Sequence, residues 1–186
     1  MTKLTITASL LLSLCAACLS PAAEYVFDAQ TENWFSPANG VPEWKKAGNN
    51  ELFFVQSAET NQIRISNKNA NWKVPVSTFA GATWSAPQGE VIVGVSLTFD
   101  GVYGVNGAPQ LALFGGTNTP SLQLFATELQ KDVRNKAQTG SVTCDASENI
   151  RVIELRNWHC ATPAIAQPSW FSRVTRVVIT TESVSG

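Results

Sequence analysis

The stretch EVIVGVSLTFD, residues 90–100, constrains the fold more than any other part of the chain. On an extended backbone Val91, Val93, Val95, Leu97 and Phe99 share one face, and Ile92, Gly94, Ser96 and Thr98 share the other. A helix would scatter the same residues around its circumference, so this segment is a strand with one face buried. QLALFGGTNTPSLQLF, residues 110–125, repeats the pattern twice around a turn. Leu111 and Leu113 are answered by Leu122 and Leu124, with Gly115, Gly116, Asn118 and Pro120 marking the reversal. Further strands are predicted at Tyr25–Asp28, Leu52–Gln56, Gln62–Ser66, Arg151–Leu155 and Arg173–Thr181. TELQKDVRNKAQTG, residues 127–140, is the one candidate helix. Leu129, Val133 and Ala137 recur at four-residue spacing, Thr127 is a candidate cap and Gly140 a stop. Many short strands parted by Gly, Pro and Asn predict an all-β chain: an antiparallel β-sandwich of jelly-roll type with at most one short helix.

The first residues carry a different pattern. MTKLTITASLLLSLCAACLSPAAE has one early lysine, an apolar run from about Leu10 to Leu19, and small residues at Pro21, Ala22 and Ala23. This is the order of a secretion signal, and the run is shorter than the ~20 residues of a membrane-spanning helix. Residues 1–23 are read as a signal peptide and 24–186 as one β-sandwich domain, secreted to an extracellular or periplasmic space. Cys18 is the alternative anchor, as a lipidated residue. Cys15 and Cys18 leave with the leader, and Cys144 and Cys160 remain. An even pair in an oxidising compartment is expected to form one disulfide.

Loss of Lys3 with the leader takes the formal net charge from −1 to about −2. No basic block remains for nucleic acid or for an anionic membrane surface. The single histidine, His159, cannot serve both a triad and a metal site. The chain contains no G-x-S-x-G elbow, no H-E-x-x-H and no phosphate loop. Glycoside hydrolysis needs two placed carboxylates, but no motif selects a pair among Glu43, Glu51, Glu59 and Glu90. These features argue against an enzyme.

YVFDAQTENWFSPANG, residues 25–40, and EWKKAGNNELFFV, residues 43–55, resemble the opening of secreted jelly-roll modules. Such modules include the galactose-binding-like carbohydrate-binding modules and bacterial extracellular domains of laminin-B type. Phe27, Asp28, Trp34, Trp44 and Gly48 carry the likeness, with Asn33 where a glycine is usual. The resemblance covers about the first third of the chain after the leader, and it speaks for fold more than function. It implies a structural calcium between the first and last strands, with Asp28 as ligand. The only carboxylate offered near the end of the chain is Glu182. No other cofactor is implied.

All six tryptophans follow the leader. An indole face can stack on the C–H face of a sugar, and it can equally fill a core. Trp34 is expected in the core by the resemblance. Trp158 is expected against the disulfide and Trp170 in the core at the entry to the last strand. Trp44, between Glu43 and Lys45, suits either role. Trp72, in SNKNANWKVPV, and Trp84, in AGATWSAPQG, have the most loop-like neighbours. With Tyr103, between Gly101 and Gly104, they are the candidate ligand-binding residues. The expected function is non-catalytic carbohydrate binding, with a glycan or polysaccharide as partner. The alternative is an extracellular structural or adhesive protein that binds another protein and buries its indoles. An unrecognised polysaccharide-active enzyme is the third reading.

Overall fold

The computed structural model describes residues 23–31, 33–38, 40–48, 52–55, 62–66, 80–103, 109–126, 137–159 and 171–184. They form two antiparallel sheets packed face to face, with one 3-10 turn at Ala146–Glu148 as the helical element among them. The strands are β1 (Ala23–Asp28), β2 (Lys45–Gly48), β3 (Leu52–Val55), β4 (Gln62–Ser66), β5 (Ala80–Ser85), β6 (Glu90–Tyr103), β7 (Pro109–Gly116), β8 (Leu122–Ala126), β9 (Ala137–Thr143), β10 (Val152–His159) and β11 (Phe171–Ser183).

The first sheet runs β3-β4-β11-β6-β9. β11 is its spine. One side pairs with β6 along its length, while the other takes β4 at Phe171–Val174 and then β1 at Arg176–Thr181. The second sheet runs β2-β5-β10-β7-β8. Their inner faces supply the core. Val95, Leu97 and Phe99 of β6 and Val177 and Ile179 of β11 meet Ile153 and Leu155 of β10 and Leu111 and Leu113 of β7. Full burial of such side chains contributes about 1.5–3 kcal/mol each, which is why the period-two pattern governs the fold.

The pattern changes phase at one place. Val93 has no opposite residue, because Gly94 pairs with Thr180 and Ile92 with Thr181. This β-bulge turns Ile92 into the core, against the face assigned to it by simple alternation. The expected hairpin forms, but Gly115 and Gly116 belong to β7 rather than to the turn. Its register sets Leu113 opposite Phe125 and Gly115 opposite Leu122. Leu122 stands at the start of β8 and is 52% exposed. Gly116 is needed where it stands, and Gly115 is closely packed. A Cβ on Gly115 would come 2.6 Å from Leu124 Cδ1, and one on Gly116 would come 2.0 Å from the Thr119 carbonyl oxygen.

The candidate helix is corrected in its described part. Residues 137–140 begin β9, and Gly140, the expected stop, lies in the middle of that strand. Pairing with β6 overrides the local spacing, and Gly140 is held there by the Phe125 ring of β8. A Cβ on Gly140 would meet Phe125 Cζ at 2.4 Å. Leu129 and Val133 lie outside the described residues, as do residues 1–22 of the expected leader. Ala23, the last residue assigned to that leader, opens β1 opposite Thr181.

Candidate functional site

The tryptophans decide what kind of surface the molecule offers. The loop from β1 to β2 is folded by its polar residues. Asn33 Oδ1 accepts from Phe35 N at 3.1 Å, and the Asn33 carbonyl accepts from Ser36 N. Asparagine thus turns the chain at this point. The turn throws Trp34 inward, and Trp44 N donates to the Trp34 carbonyl at 2.8 Å, which draws the loop closed. Trp34 and Trp44 lie 5.7 Å apart, and Phe27 of β1 sits against both, at 5.9 and 5.7 Å. Both indoles are buried, as expected for Trp34, and Trp44 is resolved in favour of the core. Among the described residues their Nε1 atoms have no hydrogen-bond partner.

Trp84 is the main correction. It lies in β5, not in a loop, and none of its surface reaches solvent. Its Nε1 donates to the Pro42 carbonyl at 3.0 Å, and its ring meets Tyr25 at 5.2 Å and Phe27 at 6.2 Å. The glycine and alanines around it suggested a loop. The segment is nevertheless a strand, paired with β10 on one side and β2 on the other. An indole with both faces covered cannot stack on a sugar. Trp72 lies outside the described residues, with Trp170. Tyr103 ends β6 with its backbone opposite Phe171; its side chain lies outside the described residues. The three candidate ligand-binding residues are therefore not brought together as a described site.

Asp28 and Glu182 do not share an ion site. Asp28 pairs with Arg176, whereas Glu182 lies six residues further along β11. At about 3.3 Å per residue this is roughly 20 Å. Asp28 Oδ1 instead accepts from Gln30 N at 2.8 Å and turns the chain out of β1. Among the described residues no group of three His, Cys, Asp or Glu could hold a metal.

The expected Cys144–Cys160 disulfide meets a similar obstacle. Cys144 is a free, buried thiol. Cys160 lies outside the described residues, but the strand leading to it points away from Cys144. Cys144 N donates to the Val93 carbonyl and Ile92 N to the Ile150 carbonyl, which places Cys144 near the start of β10. β10 then runs from Val152 to His159, about 23 Å at ordinary strand rise, and a disulfide needs Cα atoms within about 7 Å. Burial pushes the Cys144 thiol up, and the nearby Glu148 carboxylate adds to this. Its folded value lies above its unfolded one. Its contribution to stability is therefore full below about pH 8.5 and is lost as pH rises through the folded value. In native protein at pH 8, a disulfide-exchange reagent is expected to label Cys144 only as fast as the chain unfolds. Rapid labelling, or a non-reducing peptide map joining Cys144 to Cys160, would contradict this placement.

The polar chemistry lies on the outer sheet faces. On the second sheet, Thr83, Glu154, Phe114 and Gln123 form a cross-strand row. Glu154 and Arg156 are two apart on β10, so both point outward, and they form an ion pair. Thr83 Oγ1 donates to Glu154 Oε2 at 3.0 Å. Arg156 Nη2 donates to the Pro120 carbonyl at 2.8 Å, and its guanidinium lies 3.8 Å from the Phe114 ring centroid. Glu154 is only 6% exposed. Sequence reading passed over this pair, though ELR within an apolar strand was its signal. At one end of the sandwich, Tyr25 Oη donates to the Glu90 carboxylate at 3.1 Å, and Thr181 Oγ1 donates to it as well. Burial pushes the Tyr25 hydroxyl up, and Glu90 reinforces this.

No family model and no curated protein matches this chain. Two solved structures share a distant likeness. The K1 cleaved adhesin domain of Lys-gingipain from Porphyromonas gingivalis W83 aligns at a TM-score of 0.48 and 7% identity, over 88% of this chain and 99% of that one. The K3 cleaved adhesin domain of the same protein aligns at 0.43 and 13%, over 87% and 92%. The sandwich assignment rests on the strand pairing of this chain, not on these likenesses.

The outer face of the first sheet is rich in hydroxyls. Register places Thr143, Gly94, Thr180 and Glu24 in one row, Ser141, Ser96, Val178 and Val26 in the next, and Thr139, Thr98, Arg176 and Asp28 in a third. Such a face can hydrogen-bond a partner over several strands.

Proposed function

We propose that this chain is an extracellular binding domain of adhesive type, which meets a protein partner through its polar sheet faces. The observation that carries this reading is the fate of the indoles. Trp34, Trp44 and Trp84 are at most 1% exposed and form one core cluster with Phe27. A glycan receptor built on stacking needs such rings at its rim, at about 1–3 kcal/mol per ring by analogy with other aromatic platforms. These three are committed to stability, and the side chains of Trp72, Trp158 and Trp170 lie outside the described residues. The hydroxyl rows of the first sheet are left as the recognisable surface chemistry, and the leader-like first residues support export.

The purified chain should be presented in parallel to a glycan array and to immobilised extracellular-matrix and cell-surface proteins. The expected result is a blank glycan array with saturable binding to a protein. Glycan retention that is lost in Trp72→Ala, with the fold intact, would restore carbohydrate binding as the function.

A further inference from the structure

Exposed sheet edges are templates for further pairing, and folded chains protect them with charge, brevity, proline or bulges. The edges of this sandwich differ sharply in that respect. β2 has four residues and shows Lys45 and Lys46 to solvent. β3 also has four. β8 is broken in register against β7, between Leu113 and Phe114. The open side of β1 carries Glu24 and Asp28.

β9 has none of these defences. Its seven residues, AQTGSVT, include no charge and no proline, and its pairing with β6 runs unbroken from Thr143 to Ala137. Among the described residues it pairs with β6 alone. The direction of its backbone follows from one hydrogen bond. Cys144 N donates to Val93 O, so by the two-residue period Val142, Gly140 and Gln138 also bond toward β6. Thr139, Ser141 and Thr143 then direct their N–H and C=O groups outward, and their side chains are exposed.

We propose that β9 is a homodimer interface, at which the first sheets of two copies join edge to edge about a two-fold axis at Ser141. Antiparallel pairing about that axis sets Ser141 opposite its own copy and Thr139 opposite Thr143 of the other. Each outward N–H and C=O finds a partner. The arrangement is self-complementary, as a two-fold interface must be. It opposes no like charges, and it uses the hydroxyl pairs that stabilise neighbouring strands. The flank agrees with this occupant. Phe125 of β8 packs over Gly140, so β8 backs the same edge from within the sandwich and leaves its outward backbone groups uncovered by β8. This inference is independent of which partner the sheet faces bind.

The test is sedimentation equilibrium of the purified chain over a wide concentration range, with amide exchange measured in parallel. The expected result is a reversible dimer whose amides at Thr139, Ser141 and Thr143 become protected as concentration rises. Ser141→Pro removes an outward donor without touching the bonds to β6. Ser141→Lys sets two like charges across the axis. Each should weaken dimerisation roughly tenfold or more, with the melting temperature of the dilute chain unchanged. If Ser141→Pro does not fold, Ser141→Lys provides the reading. A chain that stays monomeric at every concentration would overturn the proposal, as would a dimer indifferent to Ser141→Lys.

Discussion

Trp84→Ala is expected to lower stability by about 3–5 kcal/mol and the melting temperature by on the order of 10 °C. Trp84 lies where the two sheets and the β1–β2 loop converge. Its ring touches Tyr25 and Phe27 of the first sheet, and its Nε1 ties Pro42 of the loop to β5. Truncation opens a cavity in a site that Phe27, Trp34 and Trp44 cannot readily fill, since each is held by its neighbours at ring distances of 5.7–5.9 Å. It also leaves the Pro42 carbonyl without its donor. Trp84→Phe should recover part of the packing but not the hydrogen bond, so it is expected to fall between the two. Chemical denaturation of the three chains measures this directly. A Trp84→Ala chain as stable as wild type, yet impaired in binding, would return Trp84 to the surface.

What could be read in the sequence follows from where the information resides. β6, β4, β11 and the β7–β8 hairpin announce themselves because large apolar residues alternate along them, so each carries its own burial signal. β2, β5 and β9 do not. KKAG, AGATWS and AQTGSVT hold too few large apolar residues to show a period, and they are strands because neighbours pair with them. Trp84 was misassigned for the same reason. Its small neighbours show no period of their own, and the segment is a strand because β10 and β2 pair with it. The resemblance over residues 25–55 placed Trp34 correctly, because that loop folds by local turns at Asn33. It misled at Asp28, whose supposed partner is fixed by the register of a strand some 150 residues later. The cysteine expectation assumed that two thiols of suitable parity would meet; Cys144 is a free, buried thiol and Cys160 lies outside the described residues. Of the outward-facing chemistry, Ser96 and Thr98 showed in the alternation of β6, and the Glu154–Arg156 pair showed as two opposite charges with one residue between them inside an apolar strand.

That pair is the subject of the second large effect. Arg156→Ala is expected to cost about 3–5 kcal/mol, the range for a buried pair that loses one member. The substitution leaves the Glu154 carboxylate 6% exposed with Thr83 as its remaining donor in this cluster, and it strips the Phe114 ring of its cation. Glu154→Ala should cost less. Arg156 keeps the Pro120 carbonyl and the Phe114 ring, and its 18% exposed side chain retains access to water. The double replacement Glu154→Val with Arg156→Met removes both charges while keeping apolar volume on the strand, so it is expected to be close to wild type in stability. A double-mutant cycle by urea denaturation gives the coupling between the two sites, expected to be well above the 0–1 kcal/mol of a surface pair. The same variants separate stability from recognition. If the double replacement is stable yet no longer binds the protein partner, the pair acts in recognition on the outer face of the second sheet; if it binds unchanged, recognition lies on the hydroxyl face of the first.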